Sequence, residues 1–280
     1  MAQLAEPSNR DSGKSALTTR IISGLILAPI ALALIVAGGW WLAALVLLGV
    51  VLMVREWDRI TGGTATGPIA WLQIAGIVLA LFLVQLDYYL AAVIALAWTA
   101  IGAHLVSADV RAIRGFWPVI GTVWIGLPCV GLLMLARDGE HGLLTVLWLM
   151  VMVWACDTGA YFAGRTIGGP KLLPSVSPKK TWAGLIGGMI AAALVGAGMA
   201  AWSGLADPVI LSGVSAAVAA FSQIGDLSES AFKRHFGVKD SGDVIPGHGG
   251  VLDRVDGLLF AIIFVVAIAH GRGGELLPWF

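Results

Sequence analysis

The sequence predicts an all-α, polytopic integral membrane protein with about nine transmembrane helices and a cytoplasmic N-terminus. Of its 280 residues, 58% are hydrophobic and only 12% are charged, and the mean hydropathy is +0.89. Soluble domains average about 45–50% apolar and about 25% charged residues, so this composition is typical of a membrane protein. Long apolar runs and a regular partition of the basic residues support the same class.

The predicted spans follow from runs of roughly 20 apolar residues, the length of helix that crosses a bilayer. Helices are favoured because backbone groups inside the hydrocarbon must be hydrogen-bonded within the protein. The first apolar stretch, 21–54, is too long for a cleavable leader. This stretch and 68–104 could also be divided at other points. The spans are predicted at 21–37, 39–54, 68–86, 88–104, 116–136, 142–163, 182–203, 207–226 and 251–270.

The orientation follows from the Lys and Arg residues, which are enriched in cytoplasmic loops of membrane proteins. With a cytoplasmic N-terminus and these spans, all of them except Arg137 and Arg272 fall on the cytoplasmic side or at its interface. A count of eight or ten spans would destroy this partition. The tryptophans that lie near predicted span ends, as in an aromatic belt, are Trp40, Trp41, Trp57, Trp117, Trp182, Trp202 and Trp279.

The chain divides into three parts by composition. Residues 1–19 are predicted to be a mobile polar N-terminus, and 20–114 to form the N-terminal transmembrane helices. Residues 115–280 are predicted to form a C-terminal transmembrane catalytic region, with polar cytoplasmic loops at 164–181 and 227–250. The net charge is zero, and no nucleic-acid partner is predicted.

Carboxylates are concentrated at the cytoplasmic ends of three predicted spans. Asp157 lies near the end of the sixth, Asp226 ends the eighth, and Asp253 and Asp256 begin the ninth. Ionisable groups in spans are costly and often mark a site. Asp253 and Asp256 share a helix face, as do Asp226 and Glu229. Such faces suit a hard divalent cation that shares its oxygen ligands with a substrate phosphate. The alternative is a solvated interface in which these acids pair with the basic residues of the same loops.

Basic and glycine-rich segments accompany these acids. Residues 177–181, Ser-Pro-Lys-Lys-Thr, precede the seventh span, and 164–171 read GRTIGGPK. Glycines let a backbone approach an anion closely, although lysines at a membrane surface also simply attract anionic lipid. The turn at 246–250, Pro-Gly-His-Gly-Gly, leads into a helix whose N-terminus would favour phosphate. His248 could donate to an oxyanion or serve as a structural hydrogen-bonding residue.

Several of these segments together carry a family resemblance. Residues 230–256, SAFKRHFGVKDSGDVIPGHGGVLDRVD, resemble the signature of the phosphatidate cytidylyltransferases, the CDP-diacylglycerol synthases. The signature has Ser, Lys-Arg, Lys-Asp, Pro-x-His-Gly-Gly and Asp-Arg-x-Asp at fixed spacings, and each is present. Segments 157–161, 177–182 and 223–227 are similar to upstream blocks of that family. The resemblance covers 150–260 well, the earlier spans only by length and hydropathy, and Ala183 departs from the usual Glu or Gln.

The resemblance implies an enzyme of phospholipid biosynthesis in the cell inner membrane, with its active site facing the cytoplasm. Its substrates would be CTP and phosphatidic acid, and its products CDP-diacylglycerol and pyrophosphate. The lipid phosphate would attack the α-phosphorus of CTP in line with the leaving pyrophosphate, assisted by Mg²⁺ with or without a second cation. A homodimer is expected only from the family.

These requirements assign roles to the residues identified above. The predicted catalytic residues are Asp226, Asp253, Arg254, Lys233 and His248. Metal binding is predicted first for Asp226 and Asp253 and next for Asp256 and Glu229. The predicted substrate-binding residues are Lys179, Lys180, Ser177, Thr181, Arg234, Lys239, Gly249, Gly250, Asp157 and Tyr161. Asp157 could alternatively orient Tyr161, one helical turn away.

Three alternatives to this function differ in the chemistry they require. A CDP-archaeol synthase or a polyprenol kinase would share the charges but act on another lipid or another phosphorus atom. An alcohol phosphotransferase acting on CDP-lipids would need a D-G-x-x-A-R helix, which 256–261 do not provide. An ion transporter would need acids buried in mid-span on several helices, whereas here they cluster at one face.

Overall fold

The computed structural model describes residues 9–109, 115–245, 247 and 249–272, with side chains described from Ile22 onward except at 108 and 109. Seven helices of the described residues are long and apolar enough to cross a membrane. The all-α polytopic membrane class is therefore confirmed, while the count of nine spans and the orientation stay predictions. His248 lies outside the described residues.

The helices follow the predicted spans in order. They are α1 Asn9–Ala37, α2 Gly39–Ile60, α3 Pro68–Gln85, α4 Tyr89–Asp109, α5 Trp117–Gly121, α6 Leu127–Ala136, α7 Gly142–Thr166, α8 Trp182–Ser203, α9 Pro208–His235 and α10 Leu252–Gly271. A π-helical turn, Thr122–Gly126, joins α5 to α6, and a short 3-10 helix, Gly139–His141, precedes α7. The first helix begins at Asn9 and thus includes part of the predicted polar segment 1–19.

Two predicted cytoplasmic loops contain more regular structure than the sequence pattern indicates. Segment 164–181 holds an antiparallel hairpin of β1 Lys171–Leu173 and β2 Ser177–Thr181, in an otherwise helical fold. Segment 227–250 begins as helix, because α9 continues nine residues past its predicted end at 226, to His235. Burial of Phe232 and an i,i+4 ion pair between Glu229 and Lys233 stabilise this extension.

Small residues let α8 pack closely on α7. A Cβ atom added to Gly187 would lie 2.3 Å from the Cβ of Ala163, and one added to Gly159 would lie 2.6 Å from the Cβ of Ala191. Close backbone approach through small residues is typical of membrane helix pairs. The N-terminus of α8 is capped by Thr181, whose hydroxyl accepts from the Gly184 N–H at 3.0 Å. The strand that ends at Thr181 is therefore held against the α7–α8 pair.

A cluster of aromatic rings joins α2 to the last turns of α9. The Trp57 ring stacks on the Phe232 ring with centroids 4.1 Å apart, and its Nε1 donates to the Trp117 carbonyl at 3.0 Å. Trp57 is only 1% exposed, so it is a core residue, and its predicted place in an aromatic belt is wrong. The rings of Trp117 in α5 and Phe232 in α9 cover it.

Candidate active site

A cavity of about 410 Å³ opens between α7, the hairpin, the start of α8 and α9. It combines residues from segments that are far apart in sequence but were predicted to act together. The predicted site residues in its lining are Asp157, Tyr161, Lys179, Lys180, Thr181 and Asp226. Arg165, Gln223 and several small or apolar residues complete the wall. The wall of the cavity thus combines basic, acidic and apolar side chains.

The closest ionic contact at this cavity joins the hairpin to α9. The Lys180 Nζ lies 2.6 Å from the Asp226 Oδ2, and the two side chains are 19% and 33% exposed. Asp157 receives a long hydrogen bond, 3.4 Å, from the Gln223 amide, and it interacts electrostatically with both members of the ion pair. Asp226 is therefore held beside the cavity by a cation while its carboxylate stays partly accessible.

The Tyr161 hydroxyl is contacted by a residue that the sequence marked only as an additional positive charge. The Arg165 Nη1 donates to this hydroxyl at 2.5 Å, one turn along α7, and both side chains are exposed. In this structure Arg165 thus holds the Tyr161 hydroxyl, while Gln223 donates to Asp157, and the alternative in which Asp157 orients Tyr161 stays a prediction. The pair places a guanidinium at the rim of the cavity.

A second ionic cluster lies beside the first and is buried. The Lys233 Nζ lies 2.7 Å from the Glu229 Oε2 and 2.5 Å from the Asp253 Oδ1, and these side chains are 13%, 2% and 7% exposed. Neither Glu229 oxygen receives a well-directed hydrogen bond. Asp256 interacts electrostatically with Asp226 and Glu229, which links the two clusters. A solvated interface does not describe these groups, since they are shielded from water.

The start of α10 is occupied by carboxylates of the protein itself. The Asp253 Oδ2 accepts from the Gly250 N–H at 3.0 Å, and Glu56 of α2 accepts from the N–H groups of Val251 and Leu252 at 2.8 and 2.9 Å. These N–H groups were expected to face a substrate phosphate, but they already have acceptors. The substrate-binding roles of Gly249 and Gly250 stay predictions.

Other predicted residues lie outside the lining of the cavity. Arg234, Lys239 and Arg254 are exposed, and Arg234 donates to the Val238 carbonyl at 3.4 Å. Ser177 begins β2 and is partly buried. None of these four positions takes part in the ion pairs of the two clusters described above.

The acids at this site resemble ligands of a divalent cation in type but do not form a closed set. Within the described part of the chain, no three His, Cys, Asp or Glu side chains form a group that could hold a metal ion. Mg²⁺, however, usually takes one or two carboxylates and completes its shell with water and substrate phosphates. In this structure the Lys180 ammonium contacts Asp226, and the Lys233 ammonium contacts Glu229 and Asp253, at 2.5–2.7 Å. A divalent cation would therefore have to take one or two of these carboxylates from a lysine and complete its shell with water and substrate phosphate.

Comparison with known proteins gives concordant matches. Residues 18–270 match the model of the cytidylyltransferase family. The phosphatidate cytidylyltransferase of Brucella suis biovar 1 is 40% identical over 257 residues, which cover 88% of this chain and 91% of that protein. The phosphatidate cytidylyltransferase of Haemophilus influenzae is 48% identical over 133 residues, which cover 46% of this chain and 46% of that protein. That of Staphylococcus aureus strain COL is 44% identical over 134 residues, which cover 48% of this chain and 52% of that protein. The similarity to the Brucella protein thus extends well beyond the polar segments.

Proposed function

The chain belongs to the cytidylyltransferase family, and we infer that it joins CTP to phosphatidic acid to form CDP-diacylglycerol and pyrophosphate. The observation that carries this function in the structure is the Lys180–Asp226 ion pair at a polar cavity, next to the buried Lys233 cluster. The segments that resemble the family signature supply both groups. The enzyme is a nucleotidyltransferase of phospholipid biosynthesis.

The chemical task explains why cations line the cavity. A lipid phosphate is already an anion near neutral pH, so its attack on the α-phosphorus of CTP needs little help from a general base. The difficulty is to bring two anions together and to stabilise charge on the transferring and leaving oxygens. We propose that Lys179, Lys180 and Arg165 bind phosphate oxygens in this cavity, while Asp226 keeps the Lys180 ammonium in place.

The proposed metal site uses the acids of both ionic clusters. When bound, Mg²⁺ would neutralise charge on the phosphate oxygens of CTP and the lipid. We propose Asp226 and Asp253 as its first ligands and Asp256 and Glu229 as the next candidates, with a second cation as an open alternative. The Asp253 Oδ2 is already held by two backbone N–H groups, from Ser241 and Gly250, so its Oδ1 is the oxygen available to exchange a cation.

Exposed aromatic side chains near the cavity suit a substrate with one end in the membrane. Tyr161 lines the cavity, and Phe162 and Trp182 directly follow the lining residues Tyr161 and Thr181 in the chain. Aromatic residues with polar edges are enriched at the membrane–water interface, where lipid phosphates lie. We propose that phosphatidic acid enters from the bilayer and CTP from the cytoplasm, in a homodimeric protein of the inner membrane.

Labelled CTP tests the function. Purified protein in detergent micelles is given phosphatidic acid, a phosphorylated archaeol-type lipid or a polyprenol, with CTP labelled at the α- or γ-phosphorus. We expect α-label to enter phosphatidic acid with release of pyrophosphate. Entry of γ-label would show a kinase, and preference for the archaeol-type lipid would show the related synthase. Ion movement across the membrane of proteoliposomes, without CTP consumption, would show a transporter.

The metal assignment is tested by chelation and by one carboxylate substitution. EDTA should abolish turnover and Mg²⁺ should restore it. Asp226→Asn should raise the Mg²⁺ concentration for half-maximal rate by about 10–100-fold, the usual range for perturbed metal sites. Asp207→Asn is the matched control, since Asp207 caps the other end of α9 and Asn caps equally well. An unchanged Mg²⁺ requirement in Asp226→Asn would remove Asp226 from the proposed ligands.

A further inference from the structure

Glu56 caps a helix that begins almost two hundred residues later in the chain. Its Oε1 accepts from the Val251 N–H at 2.8 Å, and its Oε2 accepts from the Leu252 N–H at 2.9 Å and from the Ser241 hydroxyl at 3.3 Å. Glu56 is 2% exposed. The first N–H groups of a helix lack partners within the helix and attract an anion. The carboxylate of Glu56 supplies that anion from α2.

The same helix start carries Asp253, and the two carboxylates are linked through one residue. The Ser241 N–H donates to the Asp253 Oδ2 at 2.9 Å, while its hydroxyl donates to Glu56. The Gly250 N–H also donates to the Asp253 Oδ2. Because Oδ2 is held on two sides, Oδ1 is directed at Lys233. A displacement of this helix start would therefore change the orientation of the Asp253 carboxylate.

Two glycines next to Glu56 leave the space that this arrangement needs. A Cβ atom on Gly250 would lie 2.0 Å from the Ser241 Oγ and 2.8 Å from the Glu56 Oε2. One on Gly242 would lie 3.0 Å from the Glu56 Oε1. Real Cβ atoms essentially never come closer than 3.0 Å to another heavy atom, so a side chain at Gly250 would displace its neighbours, while the contact at Gly242 would be tighter than nine in ten real ones. The missing side chains thus let the backbone reach the Glu56 carboxylate, which gives them a role besides the predicted approach to phosphate.

We propose that Glu56 is a positioning residue for cytidylyl transfer. It holds the start of α10 from α2, so that Asp253 keeps one oxygen directed at Lys233 and the active-site acids. Glu56 acts through Asp253 and does not touch the substrate. The alternative is that the helix start itself binds a substrate phosphate. This proposal rests on the proposed function, because its readout is the transfer reaction.

Glu56→Gln is the test, since it keeps the size of the side chain and one acceptor but turns an NH₂ group toward a backbone N–H. We expect kcat to fall by about 10–100-fold, the usual effect of losing a hydrogen-bond partner behind a site residue, with the KM for CTP changed less than about twofold. Asp58→Asn is the matched control. Asp58 lies on the same helix, is also 2% exposed, and accepts from the Ala65 N–H at 3.0 Å. The kcat of the Asp58→Asn variant, per folded molecule, should equal that of the wild type.

Ser241→Ala is the second test variant, and it replaces Glu56→Gln if that variant does not fold. It removes only the hydroxyl link to Glu56 and should lower kcat in the same direction by a smaller factor. A wild-type kcat in whichever variant is recovered would overturn the proposal. So would a lower KM for CTP in Glu56→Gln, since a vacated helix start would then be binding phosphate. Failure of the wild-type protein to turn over would instead refute the proposed function.

Discussion

Lys233→Met should destabilise the protein strongly, because it removes the only ammonium group that the described part of the chain places between two buried carboxylates. Lys233 contacts Glu229 at 2.7 Å and Asp253 at 2.5 Å, and all three side chains are nearly excluded from water. Breaking a buried ion pair by removing one partner costs about 3–5 kcal/mol, since the remaining charge stays buried without compensation. That loss corresponds to a change of roughly two to four orders of magnitude in the unfolding constant.

A second substitution separates loss of charge compensation from loss of packing. Glu229→Gln in the Lys233→Met background neutralises one of the two uncompensated acids, and about 0.5–3 kcal/mol of the loss should return. Stability is measured as unfolding in mixed micelles with an increasing fraction of SDS, followed by tryptophan fluorescence. Lys171→Met is the control, because Lys171 is exposed in β1 and should change stability by less than about 0.5 kcal/mol.

Unfolding of Lys233→Met at the same SDS fraction as the wild type would contradict this prediction. A double variant that is no more stable than a destabilised Lys233→Met would also contradict it. The first result would mean that the two carboxylates become hydrated or protonated without lowering the free energy of unfolding. The second would mean that the loss comes from altered packing at position 233 and not from the uncompensated charge of Glu229.

The remaining predictions concern the cavity and the helix pair beneath it. Lys180→Ala should lower kcat/KM for CTP by about 10–100-fold, because a charged hydrogen-bonding group contributes about 1.5–3 kcal/mol, and exposed Lys179→Ala should have a smaller effect. Equal losses of kcat/KM in the two variants, measured in steady-state assays, would contradict the proposed role of Lys180 in the cavity. Gly187→Val should lower stability in the SDS assay by about 1–3 kcal/mol through a clash with Ala163. Gly198→Val is its control, since a Cβ at Gly198 has open space within 4 Å; equal destabilisation of both would refute the packing argument.

Much of the membrane architecture was accessible from composition and hydropathy. An apolar run long enough to cross a bilayer must form helix, because its backbone groups have no water to bind. The seven helices that meet this criterion coincide with predicted spans. The acids and lysines at the ends of these helices were predicted to be site residues because a charge in a membrane span is energetically costly. Six of the predicted site residues line one cavity.

The misplaced elements share one cause, which is that their structure depends on neighbours distant in the chain. The hairpin at 171–181 is short and polar, so no periodicity distinguishes it from a loop. The extension of α9 to His235 depends on burial of Phe232 against Trp57. Hydropathy averages over nearby residues and cannot register a ring contributed by another helix.

Glu56 shows the same limit at the site itself. An acid directly after an apolar span is the kind of signal that selected Asp226, yet no local pattern connects Glu56 with the turn at 250–252. Charge and hydropathy, which are properties of local sequence, were enough to predict ionic groups at the ends of membrane helices. Which carboxylate binds Lys180 and which one holds the helix that carries Asp253 were decided by packing between distant helices, because ion pairs and hydrogen bonds require atoms within about 3 Å.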